Sequence, residues 1–341
     1  MKRSTSIHLQ FTREAASFIA LVVIFLFCIF GIFEVTASQP WFLNIISYPS
    51  PSINSSFPEL DVKIQRLWEY GSPNCLIIGS SMADTGLNPS LLEDLVNKKY
   101  NTEYRCFNMG FSSSMLEVSS AVANSMISWN NIDLIIWGIS PIDMDPNFTK
   151  TRAIVEMPVF AQNNKNYSLV GFLFNHSRFP WFLATLLHQQ DEEYSKDLAT
   201  YNNVLDSRGM RRSTQGKVID AGKILLPDFS IYPEDLKAFE MFLKNFKGQG
   251  KKIIIVEMPV NPDFYPYLIG GGDENYKEKF IIPIENIVTI KNIPFIQTQE
   301  KISTIVAKDT DWGNETHLNT MGADKFTRYI VGISEDEGIL P

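Results

Sequence analysis

Cys75-Leu76-Ile77-Ile78-Gly79-Ser80-Ser81 reads as a short apolar strand that ends in a tight turn and presents a serine. A run with no polar alternation suits a strand covered on both faces, as in a parallel sheet. Four further runs share this character, at 104–107, 132–137, 252–256 and 293–296. Helical spacing surrounds them, at 59–70, 89–98, 115–129, 233–247, 275–288 and 319–331. Strands alternating with helices imply βαβ units. The expected fold is therefore a three-layer α/β sandwich with a five-stranded parallel sheet. Ligands of such sheets bind outside the carboxyl ends of the strands, and loops of chemical interest follow several of the runs.

Ser81 is the candidate nucleophile, because Gly79 permits a sharp strand-to-loop turn. The turn lacks the Gly-x-Ser-x-Gly elbow of the α/β-hydrolases. A serine hydroxyl needs a base to take its proton. His317, in Asn314-Glu315-Thr316-His317-Leu318-Asn319, lies beyond the fifth run and just before the last helix, where such a base belongs. Gly110 ends the second run and Ser140 the third, so both are candidate oxyanion donors. A histidine in a triad is oriented by a carboxylate. Three positions before His317 stands Asn314, an amide; Glu315 is the nearer acid, with Asp311 and Asp309 further off. No metal-ligand spacing and no Gly-rich nucleotide loop occurs, and no cofactor is expected.

The chain has 341 residues, a net charge of −8 and a hydrophobic fraction of 45%, enough for a sizeable core. An acidic chain without a basic stripe argues against a nucleic-acid partner. Residues 15–33 are almost wholly apolar, interrupted by Ser17 and Gly31, and follow Lys2, Arg3 and Arg13. That length spans a bilayer, and the flanking charge places the N-terminus in the cytoplasm. Val35-Thr36-Ala37 also offers a signal-peptidase site, but the run is long for a cleaved signal, so a retained anchor is expected. The organisation expected is stub and anchor at 1–37, a linker at 38–58 and an α/β domain at 59–335. An insertion at 147–230 breaks the rhythm with an aromatic-rich stretch and then Arg208, Arg211 and Arg212. It reads either as a lid or membrane-facing flap or as a helical hairpin packed on the sheet. Cys75 and Cys106 each precede a glycine by four residues. They would approach if their strands were neighbours, but two separate buried thiols are the commoner state and the expectation here.

In order and spacing these motifs resemble the SGNH hydrolase superfamily. Within it they resemble the membrane-anchored envelope acyltransferase-like branch, DltD-like D-alanylation proteins and relatives of the alginate O-acetyltransferases. Gly79-Ser80-Ser81 resembles the nucleophile block, Ile139-Ser140-Pro141 and Pro259-Val260-Asn261 the blocks after strands three and four, and His317-Leu318-Asn319 with Gly322-Ala323 the final histidine block. Ser140 stands where the superfamily has an asparagine, and Asn314 where it has an aspartate. The resemblance covers 75–335 apart from the insertion. It implies a flavodoxin-like sheet and a Ser81–His317 acyl-enzyme, with Gly110, the Ser81 backbone and Ser140 at the oxyanion and Asn314 or Glu315 orienting the histidine. The expected activity is a membrane-anchored serine esterase or O-acyltransferase, its main domain periplasmic or extracellular. Its substrate would be an acylated envelope glycan or lipid, and a transferase would imply a polytopic membrane acyltransferase as partner. The alternative is a carbohydrate- or envelope-binding protein that kept the fold and lost the triad.

Overall fold

A computed structural model describes residues 4–37, 39, 41–42, 47–145, 150–161, 169–214, 216, 224–336, 338 and 340. Helix α1 (Ser4–Ala37) comes first, and its stretch Glu14–Ala37 is long and apolar enough to cross a membrane. The most apolar 18-residue window within that stretch is not buried against the rest of the chain. Helix α2 (Pro58–Tyr70) leads into β1 (Cys75–Ile78), followed by α3 (Ser81–Gly86), α4 (Pro89–Tyr100), β2 (Cys106–Asn108), α5 (Leu116–Trp129) and β3 (Leu134–Ile139). The insertion then supplies α6 (Leu169–His176), α7 (Phe179–His188) and α8 (Glu192–Val204). The rhythm resumes with α9 (Pro233–Gly248), β4 (Lys252–Glu257), α10 (Gly272–Tyr276), α11 (Ile282–Ile290), β5 (Phe295–Ile296), α12 (Ile302–Ile305) and α13 (Thr320–Asp336).

The five strands form one parallel sheet in the order β2-β1-β3-β4-β5. All four residues of β1 and all six of β3 are buried, which explains their uninterrupted apolar sequence. Helices α4 and α13 pack together, as do α5 and α9. Trp137 of β3 meets Phe239 and Phe242 of α9 edge-on, with ring centroids 4.9 and 5.2 Å away. The strand order reverses between β1 and β3, so the turns after these two strands flank the crevice where such sheets take ligands.

Two expectations are corrected. Cys75 and Cys106 are not separate thiols but a disulfide, with Cα atoms 4.3 Å apart. They are register partners at the starts of two parallel neighbours, a pairing that only the strand order discloses. Residues 47–57, part of the linker expected at 38–58, lie against the domain rather than standing apart from it. The Tyr48 N–H donates to Gln65 Oε1 at 3.0 Å, and His188 Nε2 donates to the Ser52 carbonyl at 2.7 Å.

Candidate active site

The serine is held by backbone geometry. Gly79 sits at φ +138, and a Cβ there would lie 2.3 Å from the Gly138 carbonyl oxygen, so the turn leaves no room for a side chain. Ser80 then caps α3, its hydroxyl accepting from the Met82 N–H at 3.3 Å and its carbonyl from the Asp84 N–H at 3.0 Å. Ser81 therefore opens the helix, where a backbone N–H has no intrahelical acceptor. Beneath the cap, Asp143 is fully buried; its carboxylate accepts from the Ser140 N–H at 2.8 Å, and burial raises its pKa to about 7.

The histidine is held by a loop. Gly313 N–H donates to the His317 carbonyl at 2.8 Å, and the Asn261 N–H donates to the Glu315 carbonyl at 2.8 Å. Asn261 lies in the Pro-Val-Asn segment after β4, so that segment's role is to fasten the loop. Asn319 caps α13 by accepting from the Gly322 N–H at 3.0 Å.

These two constructions bring Ser81 Oγ within 2.7 Å of His317 Nε2, across 236 residues of chain. The other ring nitrogen, Nδ1, lies 2.8 Å from Asn314 Oδ1 and 3.0 Å from Thr316 Oγ1. Asn314 Oδ1 also accepts the N–H groups of Thr316 and His317, at 3.0 and 2.9 Å. Two backbone donors fix the amide with its oxygen toward the ring. Nδ1 therefore carries the proton, and Nε2 is left as acceptor for the Ser81 hydroxyl. This is the tautomer that general-base chemistry requires. Asn314, rather than Glu315, is the ring's partner; Glu315 acts on it through space as the weakest of four influences. Asp311 turns away, ion-paired to Lys325 at 2.7 Å.

The His317 pKa is lowered to about 4, chiefly by desolvation and then by the positive charge of Arg211, with Asp84 opposing. An asparagine does nothing to stabilise an imidazolium by charge, which suits this direction. The ring is a neutral base across the neutral range.

The backbone N–H groups of both expected oxyanion residues are engaged within the fold. The Gly110 N–H donates to Asn108 Oδ1 at 2.9 Å, and the Ser140 N–H is taken by Asp143. Ser140 is wholly buried. The glycine has a different use: a Cβ at Gly110 would press on the Asp84 N at 3.0 Å and the Ser80 O at 3.2 Å, so its smallness lets the second loop lie against the serine turn.

Sequence reading passed over Arg211 as a candidate site residue. The insertion returns to the site after α8, and its Arg211 Nε lies 3.0 Å from Asp84 Oδ2 while Nη1 donates to Ser112 Oγ at 3.0 Å. Asp84 is three residues after the serine and is shared with Lys63, whose Nζ lies 2.6 Å away with both side chains fully buried. Lys63 also donates to the Gly209 and Asn108 carbonyls. The only sequence signal was a cluster of three arginines at the end of the insertion.

No protein-family model matches the chain, and no curated protein matches its sequence. Among solved structures, a lipase/acylhydrolase from Enterococcus faecalis is similar with a TM-score of 0.40 and 11% identity, over 77% of this chain and 96% of that one. A gut microbial diltiazem-metabolizing enzyme is similar with a TM-score of 0.31 and 10% identity, over 76% of this chain; this chain spans 47% of that protein. Neither assigns a residue or a reaction to this chain.

Proposed function

We propose that this protein is a membrane-anchored serine esterase or O-acyltransferase of the SGNH type, acting on an acyl ester of the cell envelope. The observation that carries the reading is the Ser81–His317 contact at 2.7 Å with the ring's far nitrogen on Asn314. In the reaction, Ser81 Oγ attacks the acyl carbonyl as His317 Nε2 takes its proton. The alcohol leaves with that proton, giving an acyl-Ser81. His317 then deprotonates a water or a sugar hydroxyl, which attacks the acyl carbon and releases Ser81 with its proton restored. The Ser81 N–H, which opens α3 and has no intrahelical acceptor, stabilises the oxyanion. A polytopic membrane acyltransferase as acyl donor belongs to the transferase form of this reading.

The disulfide and the apolar α1 support an exported domain, because disulfides persist in oxidising compartments. Asn314 in place of a carboxylate favours a second reading, a binding protein that retains the fold. A fluorophosphonate probe separates the two. Labelling of the intact protein that disappears in Ser81→Ala and falls at least a hundredfold in His317→Ala is the expected result. An intact protein that never labels leaves the binding role.

A further inference from the structure

Helices α6 and α7 form a hairpin whose outward side is apolar. In α7, Phe179, Leu183, Leu186 and Leu187 are exposed at helical spacing, while Trp181, Ala184 and Thr185 face the domain. In α6, Leu169, Val170, Phe172 and Leu173 are exposed, while Gly171 and Phe174 are buried. An exposed patch of this extent marks an interaction surface. Residues 169–188 contain no carboxylate, whereas the next turn reads Asp191-Glu192-Glu193 and is exposed. Such a change from apolar to acidic marks a boundary with water.

The occupant of this face is indicated by its continuity with α1. Phe33, in the last turns of the apolar span, packs on Phe179 and Phe182 with ring centroids 5.1 and 5.2 Å apart. Glu34 on the same turn accepts from the N–H groups of Arg178 and Phe179, at 2.9 and 3.1 Å, and so caps α7. The apolar face of α1 thus continues directly into the exposed leucines of α7.

The hairpin also has a fixed place relative to the sheet. Trp181 packs on Trp68 and Trp129, at the last turns of α2 and α5, with centroids 5.2 and 5.6 Å apart. The cleft of about 560 Å³ between them is lined by Gly71 and Ser72, just before β1, and by Asn130, just before β3. The hairpin therefore sits at the amino edge of the sheet, and Ser81 sits at the carboxyl edge. Three elements span the gap. β3 has six residues, about 20 Å at 3.3 Å each. α2 has 13 residues, also about 20 Å, and runs from Glu59, which accepts from the Ser112 N–H beside Arg211, to Trp68 under the hairpin. α5 runs in the same sense from beyond Ser112 to Trp129.

We infer that the α6–α7 hairpin lies in the outer face of the bilayer beside the end of α1, and that it holds the Ser81 site about 20 Å or more from the lipid, facing away from it. This rests on the acyl-transfer reading for its consequence: the acyl ester that reaches Ser81 is carried by a water-exposed molecule, a glycan chain or a soluble ester, and not by a lipid of the same bilayer.

The test uses the full chain in phosphatidylglycerol/phosphatidylcholine vesicles, with Cys28→Ser as background and single nitroxide labels at Leu183→Cys, Leu187→Cys, Glu193→Cys and Lys308→Cys. Lys308 lies at the site edge, its carbonyl accepting from Asn261 Nδ2 at 2.9 Å. The expected result is oxygen-dominated relaxation at positions 183 and 187 and dominance of the aqueous nickel chelate at 193 and 308. Aqueous behaviour at 183 and 187 overturns the proposal, as does shielding of both from both reagents, which would place a second copy on this face. Lipid depth at 308 overturns the orientation. In the same vesicles, release from soluble p-nitrophenyl acetate without cleavage of the phospholipid esters is expected, and phospholipid cleavage overturns the substrate assignment. Failure of Ser81 to label with fluorophosphonate would refute the acyl-transfer reading and leave the depth pattern standing, so the two failures are distinguishable.

Discussion

The two halves of the Ser81–His317 pair are built from different materials. The serine half rests on a strand stapled at its start by a disulfide, a turn with no room for a Cβ, and a buried ion network of Lys63, Asp84 and Arg211. The histidine half rests on a loop of neutral hydrogen bonds centred on one amide oxygen. Charge lies beneath the nucleophile, where it binds the returning insertion to α3, and is missing behind the base, where a triad would place it. The difference teaches that the serine half is specified by folding energy, whereas the histidine half sets the ring's tautomer and leaves its basicity low.

The largest effect should come from the ion network. Lys63→Met leaves Asp84 buried with one cation fewer, and removing one partner of a buried ion pair costs about 3–5 kcal/mol. Thermal unfolding in detergent should show a correspondingly large fall in Tm. A loss under about 1 kcal/mol would mean that the network is not what holds the serine half. Next is the disulfide, which closes a loop between positions 31 apart in sequence and whose removal should cost about 2–4 kcal/mol. Cys75→Ser with Cys106→Ser should lower Tm while the initial rate of probe labelling at 20 °C stays within about threefold, since the staple is at the far end of the strand from Ser81. A greater loss of rate would show that the foot of β1 governs its tip.

How much of this was legible depends on range. β1, β3 and β4 were readable because strands covered on both faces cannot alternate, and Ser81 and His317 because each lies where a strand or final helix begins or ends. The helix expected at 275–288 is broken in the structure by a π turn at Lys277–Ile281 before α11. Pro283, at the start of α11, has no N–H to continue the ladder, which is a local signal that helical spacing hides. The spent Gly110 N–H was also written locally, since Asn108 two residues earlier has the side chain to bond its own loop. Arg211 and the disulfide were not legible. Arg211 reaches Asp84 across 127 residues, and the cysteines pair only because β1 and β2 are neighbours in register.

The histidine half yields a gain-of-function test. Asn314→Asp introduces the missing charge 2.8 Å from Nδ1, where it favours the imidazolium. The reverse change in a triad costs about 10⁴ in turnover, so a rise of at least tenfold in acylation rate at pH 7 is expected. The pH profile checks the cause. In the wild type the neutral ring is the active form, and with its pKa lowered to about 4 the acid limb of the labelling rate should fall near pH 4. The stability contributed by burying the neutral ring follows the same sign. It is complete above the unfolded value of about 6.5 and is lost as pH falls toward 4. In Asn314→Asp the limb should move upward. A limb that stays in place with an unchanged rate would show that the amide is not coupled to the ring.

The smallest effect is assigned to Glu315, and it separates the two residues that could have oriented the histidine. Its carbonyl is tied to Asn261, and its carboxylate ranks last among the groups acting on His317, in the direction that raises the ring's pKa. Glu315→Gln keeps the backbone contact and removes the carboxylate's charge. The acid limb should move slightly downward and the labelling rate should change less than about threefold, as for one charge acting across partly solvated space. Asn314→Ala should by contrast release the ring from its tautomer and cost at least a hundredfold. If Glu315→Gln were instead the costlier of the two, the ring would turn to the acid in solution, and the neutral character of the histidine half would be lost with it.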